Sequence, residues 1–330
     1  MAVISSEAHS GELRKREETH NNGSVLTSSS LSAFANHNFS HLTLYTGNTM
    51  RTGTTGQLNT NLKKSNQELV AAVQDTLYYS LSTAHIENNS IIIRDETSIG
   101  PLEADRSSYE ITVKMFYLSS LPTSPPAATE TGVGTGRPLS VDYLRVAFTD
   151  LEYSLGIPDI KLDTFILALP NQVFDENGLD ALEFESFRAE VQTMLLPVWK
   201  QLSLLRNEGR IGRLGVAEFS KQQLEVLKEV AAADPEGVMI APEVNQVNLQ
   251  DCCVLPKDLI QYAKEEGIEL LTHGDLTNIL PQETFALLLK PYLPVAAEFL
   301  VPNFVLKYSA FITCRGVVTK KGYIIDASSV

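Results

Sequence analysis

From His41 onward, apolar positions fall into short β-branched runs separated by stretches in which apolar residues recur every third or fourth position. A strand buries every second residue and a helix repeats at about 3.6, so this alternation predicts a parallel sheet whose crossovers are amphipathic helices. Strands are predicted at His41–Tyr45, Ser90–Arg94, Ile111–Tyr117, Asp163–Leu169, Arg213–Ala217, Val244–Leu249, Ile268–Thr272 and Gly316–Thr319. Helix starts are marked by Ser65 with Glu68 and by Ser220 with Gln223, where a hydroxyl and a longer side chain satisfy the free N–H groups reciprocally. Pro256 and Gly267 bracket one further helix, Gly156 closes another, and Cys314 is placed at the end of a helix entering the eighth strand. Eight strands each followed by a helix predict an α/β fold of the (β/α)8 (TIM) barrel type, formed by residues 41–330 as one barrel.

Two stretches break the pattern. Residues 1–40 are rich in Ser, Asn, His and Glu with little apolar periodicity, and so predict a disordered tail that cannot repay the entropy of ordering. Ser120 to Pro138 is studded with prolines and glycines that block both helix and ladder, and predicts a flexible surface loop at 120–138. Its Gly132, Gly134 and Gly136 look like a phosphate-binding turn, but Arg137-Pro138 follows where a helix should open.

Composition narrows the function. Hydrophobic residues make up 43% of the chain, enough for a large core, and the net charge of −14 repels phosphate backbones and anionic lipid. Nucleic acid and membrane are therefore not expected partners. Met1–Ser10 shows no basic, then apolar, targeting pattern, and a cytoplasmic location is expected. Three cysteines, Cys252, Cys253 and Cys314, with no CxxC spacing, make neither a disulfide framework nor a metal site.

Particular segments carry a resemblance. Leu162 to Pro170, Gly209 to Val216 and Pro242 to Asn248 resemble the fourth, fifth and sixth strands of aldo-keto reductases, in order and correctly spaced. More closely still, Asn245-Gln246-Val247-Asn248-Leu249 with Cys252-Cys253-Val254-Leu255-Pro256, Leu270 to His273, Arg315 to Val318 and Lys321 to Ile324 resemble the modifier (regulatory) subunits of glutamate–cysteine ligase, an aldo-keto-reductase-like family. That resemblance implies a barrel that has become a non-catalytic partner protein in glutathione biosynthesis. It would form a heterodimer with the ligase catalytic subunit, improve that chain's use of glutamate and ATP, and relieve feedback by glutathione.

An aldo-keto reductase protonates its substrate through a Tyr tuned by Lys and Asp, with a His orienting the carbonyl. Lys114 matches the family lysine, but Ala168 stands where the His should be, and no Tyr follows Asp95 at the family spacing, Tyr109 being the nearest. On the cofactor side, Gln246 matches the glutamine that holds the nicotinamide amide, whereas Ala217-Glu218 replaces a Ser-Asn pair. Lys320 and Lys321 are the only stand-ins near the C-terminal phosphate-binding stretch, which the chain lacks. The resemblance thus implies no catalytic residues and no required cofactor, with residual NADPH binding as an open point. The alternative is an active NADPH-dependent reductase of small carbonyl compounds.

The resemblance also implies that a thiol, Cys252, Cys253 or Cys314, can link to the catalytic chain; the bland reading is a small buried hydrophobe. His273 is read as a loop histidine bonding backbone and Trp199 as a helix anchor. The acidic residues Asp175, Glu176, Asp180, Glu183 and Glu185 are read either as a solvated face or as a patch that speeds docking of a partner.

Overall fold

The protein is described by a computed structural model covering residues 34–50, 65–96, 100–118, 139–175, 178–248 and 255–329. Cys252, Cys253, the expected loop at 120–138 and residues 1–33 of the expected tail lie outside the described residues. Residues 34–40, also assigned to that tail, belong to the packed body: Phe39 is fully buried and Phe34 packs beside it. Two aromatic rings within seven residues outweigh the polar composition around them.

Strands β1 (His41–Tyr45), β2 (His85–Glu87), β3 (Ser90–Arg94), β4 (Tyr109–Tyr117), β5 (Leu162–Ala168), β6 (Ile211–Ala217), β7 (Val244–Asn248), β8 (Glu269–His273), β9 (Leu300–Ile312) and β10 (Val317–Ser329) form one sheet. Its order is β2-β3-β1-β10-β9-β4-β5-β6-β7-β8. Pairing is parallel within β1/β3 and from β4 to β8, and antiparallel at β1/β10, β10/β9 and β9/β4.

The closed eight-stranded barrel is therefore not what forms among the described residues, where no pairing joins β8 to β2 or β3. The cause lies in the C-terminal hairpin. Instead of a helix ending at Cys314 and a short strand at Gly316–Thr319, residues Leu300–Ile312 and Val317–Ser329 are two strands of 13 residues each. They insert between β1 and β4, and three successive antiparallel interfaces leave β1/β3 running opposite to β4–β8. An all-parallel ring cannot close through such a reversal. The Thr313–Gly316 turn makes the hairpin possible, with Gly316 at φ +66 accepting the left-handed geometry and its N–H bonded to the Ile312 carbonyl. Cys314 sits in that turn, exposed.

Helices cover both sheet faces. On one side lie α2 (Asp142–Leu155), α3 (Ala181–Glu190), α4 (Leu196–Asn207), α5 (Lys221–Ala232) and α6 (Lys257–Glu266); α1 (Ser65–Ser80), α7 (Gln282–Leu289) and α8 (Ala296–Phe299) lie on the other. Strand alternation sorts the two cores. Ile111, Val113, Met115 and Tyr117 of β4 join the first, while Phe116 joins the second. The local signals hold well. Ser220 and Gln223 form the expected capping box, Gly156 and Gly267 close α2 and α6 at φ +65 and +71, and Pro256 precedes α6. Helix α1 begins at Ser65, whose side chain lies outside the described residues, and Glu68 bonds Thr49, Lys321 and Tyr323. Trp199 is wholly buried and its indole N–H donates to the Ile240 carbonyl at 2.8 Å, the anchor expected of it.

One polar group in this packing makes stability depend on pH. The Tyr45 hydroxyl donates to Asp150 Oδ1 at 2.7 Å, while the second carboxyl oxygen is buried without a partner. Burial, reinforced by repulsion from Asp326, pushes the Asp150 carboxyl up to about 6 from 3.8. A raised pKa in the folded state means the fold binds this proton more tightly, so its contribution is complete below pH 3.8 and lost as pH rises to about 6. At 1.36 kcal/mol per unit, two units correspond to about 3 kcal/mol. Chemical denaturation from pH 4 to 7 is expected to show this loss, and Asp150→Asn, which keeps the acceptor for Tyr45, should flatten it. A variant with the parent's slope over that window would contradict the assignment.

Candidate functional site

The C-terminal ends of the parallel strands β4–β8 converge on a buried cluster of charges. The β4/β9 register sets Lys114 directly opposite Lys307, so two ammonium groups share one face at neighbouring positions. Asp275, two residues beyond β8, separates them: Oδ2 lies 3.0 Å from Lys114 Nζ and Oδ1 lies 2.6 Å from Lys307 Nζ. Asp275 and Lys114 are both buried, their side chains only 2% and 5% exposed. Burial pulls the Lys114 ammonium below the usual lysine range; the Asp275 carboxylate opposes that, and Lys307 adds to it.

His273 closes the other side of the cluster. Its Nδ1 accepts from the Asp275 backbone N–H at 3.0 Å, which leaves the proton on Nε2, 2.6 Å from Glu218 Oε1. The histidine thus does bond backbone, as the sequence suggested, and it also holds a carboxylate. Glu218, immediately after β6, adopts φ +66, a left-handed geometry that favours Gly or Asn and costs about 1–2 kcal/mol in other residues. Its side chain offsets that cost through His273 and through the Asn248 N–H at 3.3 Å, while its carbonyl accepts from Gln172 at 2.8 Å. Asn248 in turn donates to the Asp275 carbonyl at 2.7 Å.

Beside the cluster lies a small cleft lined by Lys114, Ala168, Ala217, Glu218, His273 and Leu276, among others. Its free interior of about 10 Å³ is scarcely the room of one water molecule. Ala168 and Ala217 present only methyl groups to it. Tyr109 opens β4 in the core of the opposite face, five residues or roughly 17 Å along the strand from Lys114. Its hydroxyl accepts from the Ala104 N–H at 3.1 Å. Asp95 lies beyond β3, four strand spacings or roughly 19 Å across the sheet. The lysine's carboxylate partner is therefore Asp275, on a segment the sequence pattern did not connect with Lys114. Lys307 was missed with it, because β9 was not recognised as a strand.

These residues do not fit NADPH. Gln246 keeps a buried Oε1 without a partner, a feature that could meet an amide. Yet Glu218 is committed to His273, and neither candidate phosphate grip is available. Lys320 donates to the Gly100 and Ser154 carbonyls, the latter in the last turn of α2, and Lys321 pairs with Glu68 at 2.6 Å. Among the described residues no group of three or more His, Cys, Asp or Glu is placed to hold a metal ion. None of their helices is long and apolar enough to cross a membrane.

Comparison with known proteins adds a family context. No family model matches the chain. Glutamate–cysteine ligase regulatory subunits of Mus musculus and Bos taurus are 37% identical to it over 134 and 168 residues, covering 40% and 51% of this chain and 46% and 54% of theirs. The chain thus matches about half the length of these relatives. A Schizosaccharomyces pombe protein provisionally named a regulatory subunit of the same ligase is 25% identical over 299 residues, 87% of this chain and 96% of its own. An uncharacterised Bacillus subtilis oxidoreductase is 27% identical over 153 residues, 46% of this chain and 51% of its own. The chain is a homologue of the regulatory subunits. A crystal structure of an aldo-keto reductase from a Medee basin metagenome library aligns at 20% identity and a TM-score of 0.27, over 40% of this chain and 38% of that one. So small an overlap says nothing about the architecture.

The cluster predicts a coupled response to substitution. Asp275→Asn should remove the carboxylate that separates two facing ammonium groups and cost about 3–5 kcal/mol in urea denaturation at pH 7. Adding Lys114→Met removes the deepest of the stranded charges and should recover a large part of that loss. Strictly additive effects in the double variant would show that Asp275 does not act through the lysine.

Proposed function

We propose that this protein is a non-catalytic regulatory subunit that binds the glutamate–cysteine ligase catalytic chain in the cytoplasm. The observation that carries the reading is the closed ionic network at the strand-end site. Lys114 is paired with Asp275, Ala168 supplies no orienting group, and no tyrosine lines the cleft beside them. Groups that act together in proton transfer fail together when members are missing. Homology with the regulatory subunits supplies the partner, and the near full-length match to the fission-yeast relative extends that support along most of the chain.

In this role the chain acts by differential affinity. It binds one conformation of the catalytic chain more tightly, and that preference improves the use of glutamate and ATP and relieves glutathione feedback. Mixing the two purified chains should lower the apparent KM for glutamate and yield one co-eluting species. Unchanged kinetics together with separate elution would dispose of the proposal. The protein alone should consume no NADPH with small aldehydes. Steady turnover that Lys114→Met abolishes would instead establish a working reductase.

A further inference from the structure

The segment after β5 carries a surface that the buried network does not use. Between Pro170 and Phe187 the described residues include Asp175, Asp180, Glu183 and Glu185, all exposed, and no Lys or Arg. The next cation, Arg188, is engaged by Glu229 at 2.7 Å and lies over the Phe184 ring. Among these carboxylates Leu182 is 83% exposed and Val173 63% exposed, although Phe174, Leu179 and Phe184 beside them pack on the core. Among the described residues nothing covers these exposed aliphatic groups. The acidic rim also excludes anionic surfaces, nucleic acid and acidic peptides as covers.

The described residues of this arm are held by hydrogen bonds. Gln172 exchanges hydrogen bonds of 3.1 Å with Gln223, and it donates to the carbonyl of Glu218, whose side chain holds His273. Gln222 donates to the Leu179 carbonyl at 3.2 Å, and Asp180 with Glu183 forms a capping box that fixes the start of α3. A surface fixed in advance loses little conformational entropy when it is covered, which favours its use in association.

We propose that Val173, Leu182 and the carboxylates of Asp175, Asp180, Glu183 and Glu185 form the docking surface for a basic segment of the ligase catalytic chain that alternates cationic with apolar side chains. The partner's aliphatic groups cover Val173 and Leu182, and its cations meet the acidic rim, matching this chain's net charge of −14. This surface rests on the partner reading above, and the experiment separates the two.

The dissociation constant for the purified catalytic chain is measured at low and at physiological ionic strength. The forms compared are the unsubstituted protein, Leu182→Arg/Glu185→Lys, Val173→Lys and, as a control, Leu287→Arg at a position 69% exposed on the other helical layer. Neither Leu182 nor Glu185 caps a helix with its side chain, and Val173→Lys serves if the double variant loses its thermal transition. Weakening by about tenfold or more in the arm variants, a shallower salt dependence and an unchanged control are expected. Arm variants that bind like the unsubstituted protein, or a control that weakens equally, overturn this surface and leave the partner reading standing. Absence of binding by the unsubstituted protein overturns the partner reading and this surface with it.

Discussion

The β4/β9 register places Lys114 and Lys307 face to face, and most of what is distinctive about the strand-end site follows from the need to neutralise them. Two like charges at directly opposite positions repel, and the repulsion grows as water is removed. Asp275 answers this by bonding both ammonium groups while being almost wholly buried. A carboxylate so placed needs its own backbone anchored, and the His273 ring and Asn248 amide do that through the Asp275 N–H and carbonyl. His273 then requires an acceptor for its remaining proton, which Glu218 supplies from a left-handed backbone position. Each group is explained by the one before it, back to the register of two strands.

Lysines, carboxylates and imidazole in this network are each engaged with one another. The same network is well suited to structure. It ties β4, β9, the end of β7 and the segments following β6 and β8. Gln172 extends the connection to the segment after β5, joining the interior ion pairs to an exposed surface through the Glu218 carbonyl. A partner protein can use such rigidity, since a surface held from beneath presents one shape.

The fold was legible wherever local chemistry decided it. Five-residue strands such as His41–Tyr45 and Ser90–Arg94, the Ser220 capping box, and the glycines closing helices at 156 and 267 follow from periodicity and backbone geometry within a few residues. The C-terminal hairpin did not follow. Leu300–Leu306 is buried on both faces apart from Asn303, so the alternation that marks a half-exposed strand shows only from Leu306 to Ile312. Val301, Phe304, Val305, Tyr308 and Ile312 did offer β-branched and aromatic enrichment, the signal that could have found it. With the hairpin unrecognised, eight parallel strands implied a closed ring, and Cys314 was assigned to a helix end instead of a turn.

The sequence by itself determined which family the chain resembles and which residues, Lys114, Ala168 and Gln246, stand at the positions that resemblance singles out. Those are matters of residue identity at spaced positions. Only the tertiary structure decided what Lys114 does. Its partners Asp275 and Lys307 lie 161 and 193 residues further along the chain, brought beside it by a parallel crossover and an antiparallel hairpin. Periodicity reports the face a residue turns inward. It carries no record of which distant residue will be opposite, because that choice is made by strand order and register across the whole sheet.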